Sequence, residues 1–151
     1  MPRARWVTIG RVRPDWHATE PANLTHLGWV DTAPDWIAAA DLVVASTGNT
    51  TVQQVMAAGV PYLAVPEWRY FDEQVRKAEC LAAAGLAHHL PSLPASAQGW
   101  RDAIAATRAT HDPRAQRACT AADAADQAAL WLDNLARRLC PRPETMPLAG
   151  E

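Results

Sequence analysis

Short apolar runs alternate with helix-like segments along this chain. Five runs are short and rich in apolar, β-branched or aromatic residues, which predicts strands: Arg5–Gly10, Leu24–Val30, Asp41–Ala45, Val60–Val65 and Leu86–Leu90. The segments that follow them place apolar residues at helical spacing and predict helices over these ranges: Trp36–Ala40, Thr50–Ala58, Phe71–Ala84, Gln98–Thr107 and Arg114–Leu139. Strands alternating with helices favour an α/β fold, with a Rossmann-like parallel sheet and flanking helices.

Several residues mark the ends of the predicted helices. Thr32-Ala-Pro-Asp35 resembles a capping box before the first helix. Gly59 and Gly85 follow the second and third helices, where glycine ends a helix most readily. We expect one domain over residues 1–140 and a flexible, proline-containing tail over residues 141–151.

Composition narrows the class of protein. The chain has 151 residues, of which 49% are apolar and 20% are charged, with a net charge of −2. That balance is typical of a globular domain. It provides no positive electrostatic potential that would attract nucleic acid. No apolar run reaches the length needed to span a bilayer. Three separated cysteines favour reduced thiols in a cytoplasmic protein over a disulfide framework or metal site.

The polar segment Ser46–Thr51, S-T-G-N-T-T, follows a predicted buried strand and opens a helix. In open parallel sheets, ligands bind beyond the carboxyl ends of the strands. Free N–H groups at a helix start favour an anion, and Gly48 allows close approach of the backbone. These features predict a cradle for a diphosphate. A plain capped turn is the alternative from these six residues alone, because they lack the lysine of a P-loop and the G-x-G-x-x-G of a dinucleotide fold.

A wider pattern resembles a known family. The segments S-T-G-x-x-T-x-x-Q, A-A-G-V-P, an apolar strand, D-E-Q and A-A-A-G-L follow one another between Asp41 and Leu86. This order resembles the C-terminal, donor-binding domain of GT-B glycosyltransferases, as in the peptidoglycan lipid N-acetylglucosaminyltransferases and antibiotic-tailoring glycosyltransferases. The resemblance covers roughly residues 5–87 and is most specific over residues 41–74.

The resemblance implies a set of donor-binding residues. The backbone at Val30 would meet the nucleobase, and Gln54 stands where the family usually has a glutamate that bonds the ribose. An amide there gives up the strength of a charged hydrogen bond. The diphosphate would be held by Thr47, Gly48, Asn49, Thr50 and Thr51. The sugar hydroxyls would be read by Asp72, Glu73 and Gln74. No metal and no cofactor are implied.

Compared with the family pattern, we expect the chain to start at the second strand and to lack the first strand, its glycine-rich loop and the N-terminal acceptor domain. We therefore expect one half of a GT-B fold, inactive alone, which binds a UDP- or dTDP-sugar and partners a missing domain or subunit. Exposed edges and apolar faces also predict a homo-oligomer. A nucleotide-sugar hydrolase or epimerase of this architecture, or a non-catalytic subunit of a split enzyme, remains an alternative.

Two further expectations concern aromatic and histidine side chains. Trp6, Trp29 and Trp36 are predicted to be core residues, whereas Trp68 is predicted to lie near the ligand. His88 and His89 are adjacent in a predicted strand, so their rings point to opposite faces. A shared metal ion is therefore not expected there.

Overall fold

The computed structural model describes residues 4–11, 21–121 and 123–139. The predicted loop Arg11–Asn23 falls largely, and the predicted tail 141–151 wholly, outside the described residues. The chain divides into two compact units, one ending at Cys119 and the other beginning at Thr120.

The described part of the first unit is a mixed α/β arrangement with two parallel sheets. Its strands are β1 (Trp6–Thr8), β2 (Leu24–His26), β3 (Val43–Ala45), β4 (Tyr62–Ala64) and β5 (His88–His89). One sheet pairs β1 with β2, and the other has the order β3-β4-β5. The described residues of this unit form these α-helices: α1 (Ala33–Ala38), α2 (Asn49–Ala58), α3 (Glu73–Ala83), α4 (Ala97–Ala109) and α5 (Pro113–Ala118). The parallel α/β prediction is confirmed.

The core lies around β4, because this strand has a neighbour on each side and helices against it. All three β4 residues are buried, and two of them, Tyr62 and Ala64, pack with Val55, Met56 and Val60. The three residues of β3 are only half-buried. Residues 43 and 45 bond towards β4, as Val43 N–H to Pro61 O at 2.9 Å and Val65 N–H to Ala45 O at 2.9 Å show. The backbone N–H and C=O groups of Val44 therefore point to the opposite edge of β3. Among the described residues, no strand pairs with that edge.

Helix ends follow simple backbone chemistry. Gly59 and Gly85 adopt φ of +67° and +70° after α2 and α3, a left-handed conformation that glycine reaches without a steric penalty. Ser96 caps α4 by accepting the Gly99 N–H at 3.0 Å. Thr32 makes no side-chain cap at α1, so the capping-box prediction is wrong there; its carbonyl accepts the N–H of Asp35 instead.

The single long helix predicted over Arg114–Leu139 is wrong. The chain forms α5 and then, in the second unit, α6 (Ala124–Leu139). Thr120 is β-branched and weakens helix propensity between them. Asp123 restarts the helix, because its carbonyl accepts the Gln127 N–H at 2.9 Å and its carboxylate accepts the Gln127 side-chain amide at 2.9 Å.

The second unit, taken by itself, presents an amphipathic helix with large exposed apolar side chains. Trp131 and Leu139 are 63% and 71% exposed, and Leu130 and Leu132 are exposed as well. None of the helices in the described part of the chain is both long and apolar enough to cross a bilayer.

Candidate functional site

The candidate site is built where β3 and β4 end. These strands are parallel neighbours, with Val44 opposite Leu63, so the loops that follow them leave the same edge of the sheet. The loop after β3 leads through Ser46–Gly48 into α2. The loop after β4 leads through a 3₁₀ turn, Tyr70–Asp72, into α3.

Gly48 is the residue before the first turn of α2. It has φ −62° and ψ 147°, and a Cβ added to it would meet no atom within 4 Å. No side chain caps this helix start. The first N–H groups of the ten-residue helix therefore have no intrahelical acceptor and carry the positive end of its dipole. Asn49 and Thr50 are exposed here, and Thr51 is half-exposed. The space above Gly48 is open to an anion.

A buried tyrosine fixes the beginning of this segment. The Tyr62 hydroxyl on β4 donates to the Ser46 carbonyl at 2.7 Å. Tyr62 is 1% exposed, and burial raises the pKa of its phenol well above the ordinary value. The phenol therefore stays neutral and keeps its donor.

Thr47 and Gln74 hold the two loops together. Thr47 is fully buried; its N–H donates to Gln74 Oε1 at 3.2 Å, and its hydroxyl donates to the Gln74 carbonyl at 2.6 Å. The same Oε1 accepts the Glu67 N–H at 3.0 Å. One amide oxygen thus joins the loop after β3 to the loop after β4. Direct contact of Thr47 or Gln74 with a ligand stays a prediction, since both residues already bond each other.

Lys77 connects the start of α2 to the start of α3. Its ammonium donates to Asn49 Oδ1 and to Glu73 Oε1, the latter at 3.1 Å. Asn49 is the first residue of α2, and Glu73 is the first residue of α3. Two of the predicted site residues are therefore brought together by a lysine that the sequence analysis missed.

The loop after β4 carries exposed aromatic side chains and a strained backbone. Trp68, Tyr70 and Phe71 are 74%, 77% and 99% exposed. The Trp68 and Tyr70 rings lie 5.2 Å apart. Phe71 and Asp72 have φ of 66° and 52°, which costs energy for residues that carry a Cβ. Through this left-handed backbone the exposed aromatic loop, residues 68–71, leads into α3, with Asp72 immediately before the helix.

The remaining predicted residues lie on α2 and after β2. Gln54 is half-buried and follows Thr50 and Thr51 by about one helical turn. Val30 is half-buried and follows Gly28, whose carbonyl accepts the Gly10 N–H at 2.7 Å. The core prediction for Trp29 is wrong, because this side chain is 83% exposed. Trp6 is half-buried instead, and its ring meets that of Trp100 at 5.4 Å.

A separate groove lies beside β5 and includes one of the two adjacent histidines. A mostly apolar groove of about 530 Å³ lies between residues 88–95 and α4, with His88 and Asp102 in its wall. Among the described residues, no group of three or more histidine, cysteine or acidic side chains is placed to hold a metal ion. Cys80 and Cys119 are exposed free thiols.

The model of one protein family matches most of this chain. The glycosyltransferase family 28 C-terminal domain matches residues 11–127. Two curated relatives, both named UDP-N-acetylglucosamine--N-acetylmuramyl-(pentapeptide) pyrophosphoryl-undecaprenol N-acetylglucosamine transferase, come from Halorhodospira halophila and Chromobacterium violaceum. The first is 49% identical over 63 residues, which is 40% of this chain and 18% of the relative. The second is 40% identical over 74 residues, which is 48% of this chain and 21% of the relative. The chain thus spans about a fifth of the curated relatives it matches.

Solved glycosyltransferases share the fold. The spinosyn forosaminyltransferase SpnP matches with a TM-score of 0.68 and 20% identity, over 88% of this chain and 35% of that one. The calicheamicin glycosyltransferase CalG4 matches with a TM-score of 0.66 and 19% identity, over 93% of this chain and 46% of that one. The predicted GT-B C-terminal fold is confirmed.

Proposed function

Because this chain belongs to the glycosyltransferase family 28 C-terminal domain family, we propose that it binds the nucleotide diphosphate sugar that donates the sugar in a glycosyl transfer. The observation that carries the proposal is the open, uncapped start of α2 beside Gly48, at the carboxyl end of a parallel sheet. This is where the fold and the helix dipole favour a diphosphate.

The diphosphate end of the donor is assigned to four residues of one segment. Gly48 and Asn49 offer backbone N–H groups, and Thr50 and Thr51 add hydroxyls. Thr47 and Gln74 hold this segment in place through the bonds described above, so their contribution is rigidity of the cradle. A rigid set of donors is what stabilises charge on a leaving diphosphate without a metal ion.

The rest of the donor is assigned to neighbouring positions. Gln54 would bond the ribose, the backbone at Val30 would meet the base, and Asp72 and Glu73 would read the sugar hydroxyls. The names of the curated relatives give UDP-N-acetylglucosamine as their donor, and we therefore assign uridine as the base and N-acetylglucosamine as the first sugar to try. The free exposed thiols fit a reducing, cytoplasmic setting.

Transfer itself is assigned to an assembly of this domain with an acceptor domain or partner chain. The chain alone should therefore release no measurable transfer product from labelled UDP-N-acetylglucosamine, either to water or to a lipid acceptor. Turnover at an ordinary enzyme rate, about 1 per second or more, would contradict this assignment. Release of free sugar at such a rate would favour the hydrolase alternative.

Calorimetric titration with UDP tests donor binding. We expect a dissociation constant of about 1 mM, because Gln54 offers the ribose a neutral and not a charged hydrogen bond and a single segment holds the diphosphate. Gly48→Val should abolish the signal, because its side chain would fill the space left for phosphate. Its backbone angles suit any residue and no protein atom is near, so Gly48→Val should still fold. Ala57→Val, at an exposed position further along α2, is the matched control and should bind like the parent. Equal binding by the parent and Gly48→Val would refute the cradle.

A further inference from the structure

The Lys77 side chain, near the start of the two site helices, is less exposed than those of three arginines that form ion pairs. The Lys77 side chain is 25% exposed, whereas the side chains of Arg69, Arg76 and Arg137 are 60%, 77% and 76% exposed. Lys77 also bonds across two helices, to Asn49 of α2 and to Glu73 of α3. Each of the three arginine bridges stays within one loop or helix.

The Lys77 ammonium lies close to a second positive charge, the positive end of the α2 helix dipole. Asn49 opens α2, so the ammonium lies at the end of the helix that already carries positive partial charge. A cation is unfavourable there unless an anion accompanies it. In the present structure Glu73 supplies that anion, and its side chain is 59% exposed.

We propose that Lys77 is the cation that binds the donor diphosphate and that Glu73 competes with the phosphate for it; this inference rests on the proposed function. When a diphosphate occupies the start of α2, Lys77 exchanges the Glu73 carboxylate for a phosphate oxygen. The four-carbon lysine stem allows that change while its bond to Asn49 remains. The released Glu73 carboxylate is then free to accept hydrogen bonds from the sugar. Lys77 thereby couples the diphosphate end of the donor to the sugar end.

The test uses the whole 151-residue chain and compares uridine, UMP and UDP by calorimetry at low salt. Lys77→Met should weaken UDP about tenfold, the loss expected for one hydrogen bond to a charged group, and leave uridine unchanged. Lys77→Arg should keep most of the affinity. Arg76→Met is the matched control, because Arg76 is the preceding residue and pairs with Glu79 instead. It should bind UDP like the parent.

Removal of the competing carboxylate gives an effect of opposite sign. Glu73→Gln should bind UDP about two- to fivefold more tightly than the parent. This range is the affinity change expected when binding no longer has to break one exposed ion pair. Glu73→Gln should also lose the extra affinity that a UDP-sugar gains over UDP. A merely structural role of Lys77 would not produce tighter binding in Glu73→Gln. Thermal unfolding of each variant checks that folding is retained, and Lys77→Arg with Glu73→Gln carries the test if Lys77→Met unfolds.

The outcomes separate this inference from the proposed function. If the parent binds UDP and Lys77→Met binds it equally well, or if Glu73→Gln binds it more weakly, the role of Lys77 is overturned while the donor-binding proposal stands. If the parent binds neither UDP nor other nucleoside diphosphates, the proposed function fails, and the role of Lys77 fails with it.

Discussion

Gln74→Leu removes the acceptor that joins the two loops of the candidate site. Its Oε1 accepts the N–H of Thr47 at 3.2 Å and of Glu67 at 3.0 Å. A buried N–H left without an acceptor costs about 1–3 kcal/mol. Thr47 is fully buried and should contribute most of that cost, whereas Glu67 is exposed and can turn to water. We expect Gln74→Leu to lose about 2–3 kcal/mol of unfolding free energy.

Urea and thermal unfolding measure this loss. For a chain of this size, about 2–3 kcal/mol lowers the melting temperature by roughly 4–12 °C and the urea midpoint by about 1 M. Gln53→Leu makes the same change at an exposed position of α2 and is the control. It should stay within about 0.5 kcal/mol of the parent. If Gln74→Leu behaves like Gln53→Leu, the two bonds do not hold these loops.

Three other predictions concern stability and association. Gln116→Leu should lose about 2–4 kcal/mol in urea unfolding, because the buried carbonyl of Val60 and the half-buried carbonyl of Leu86 lose their donor; an unchanged midpoint would contradict this. Backbone N–H groups of α5 lower the pKa of the Asp112 carboxyl, so its contribution is present above the ordinary aspartate pKa and is lost as pH falls through the lowered value. Asp112→Asn should flatten that part of the acid-unfolding curve, and an unchanged curve would argue against it. The exposed stripe of α6 should drive self-association at micromolar concentration, and Trp131→Ser should reduce the mass measured by light scattering; a monomeric parent would refute this.

The fold was predictable because its signals are local. Alternating strands and helices predicted the parallel α/β arrangement, and Gly59 and Gly85 predicted where α2 and α3 end. Left-handed φ angles are cheap for glycine, so the sequence marks such ends directly. The break near Thr120 was not predicted, because an alanine-rich stretch keeps helical spacing on both sides of it.

The contacts of the site were less predictable because they join distant residues. Thr47 and Gln74 are 27 positions apart, and Asn49 and Lys77 are 28 positions apart. Nothing in the local pattern says which polar side chain meets which loop. The left-handed backbone at Phe71 and Asp72 was also missed, because residues with a Cβ seldom adopt such angles and nothing in the local sequence marks them. The position of Lys77, one helical turn after Glu73, was the available signal for that ion pair.

Amide-resolved NMR during a UDP titration tests the central claim most directly. The account predicts that shift changes concentrate at residues 46–54 and 72–77 and that they are half-complete near about 1 mM UDP. It also predicts that uridine alone produces little change at residues 48–51. Changes concentrated in the groove of residues 88–95 and α4, with residues 46–54 unmoved, would contradict the assignment of the donor site.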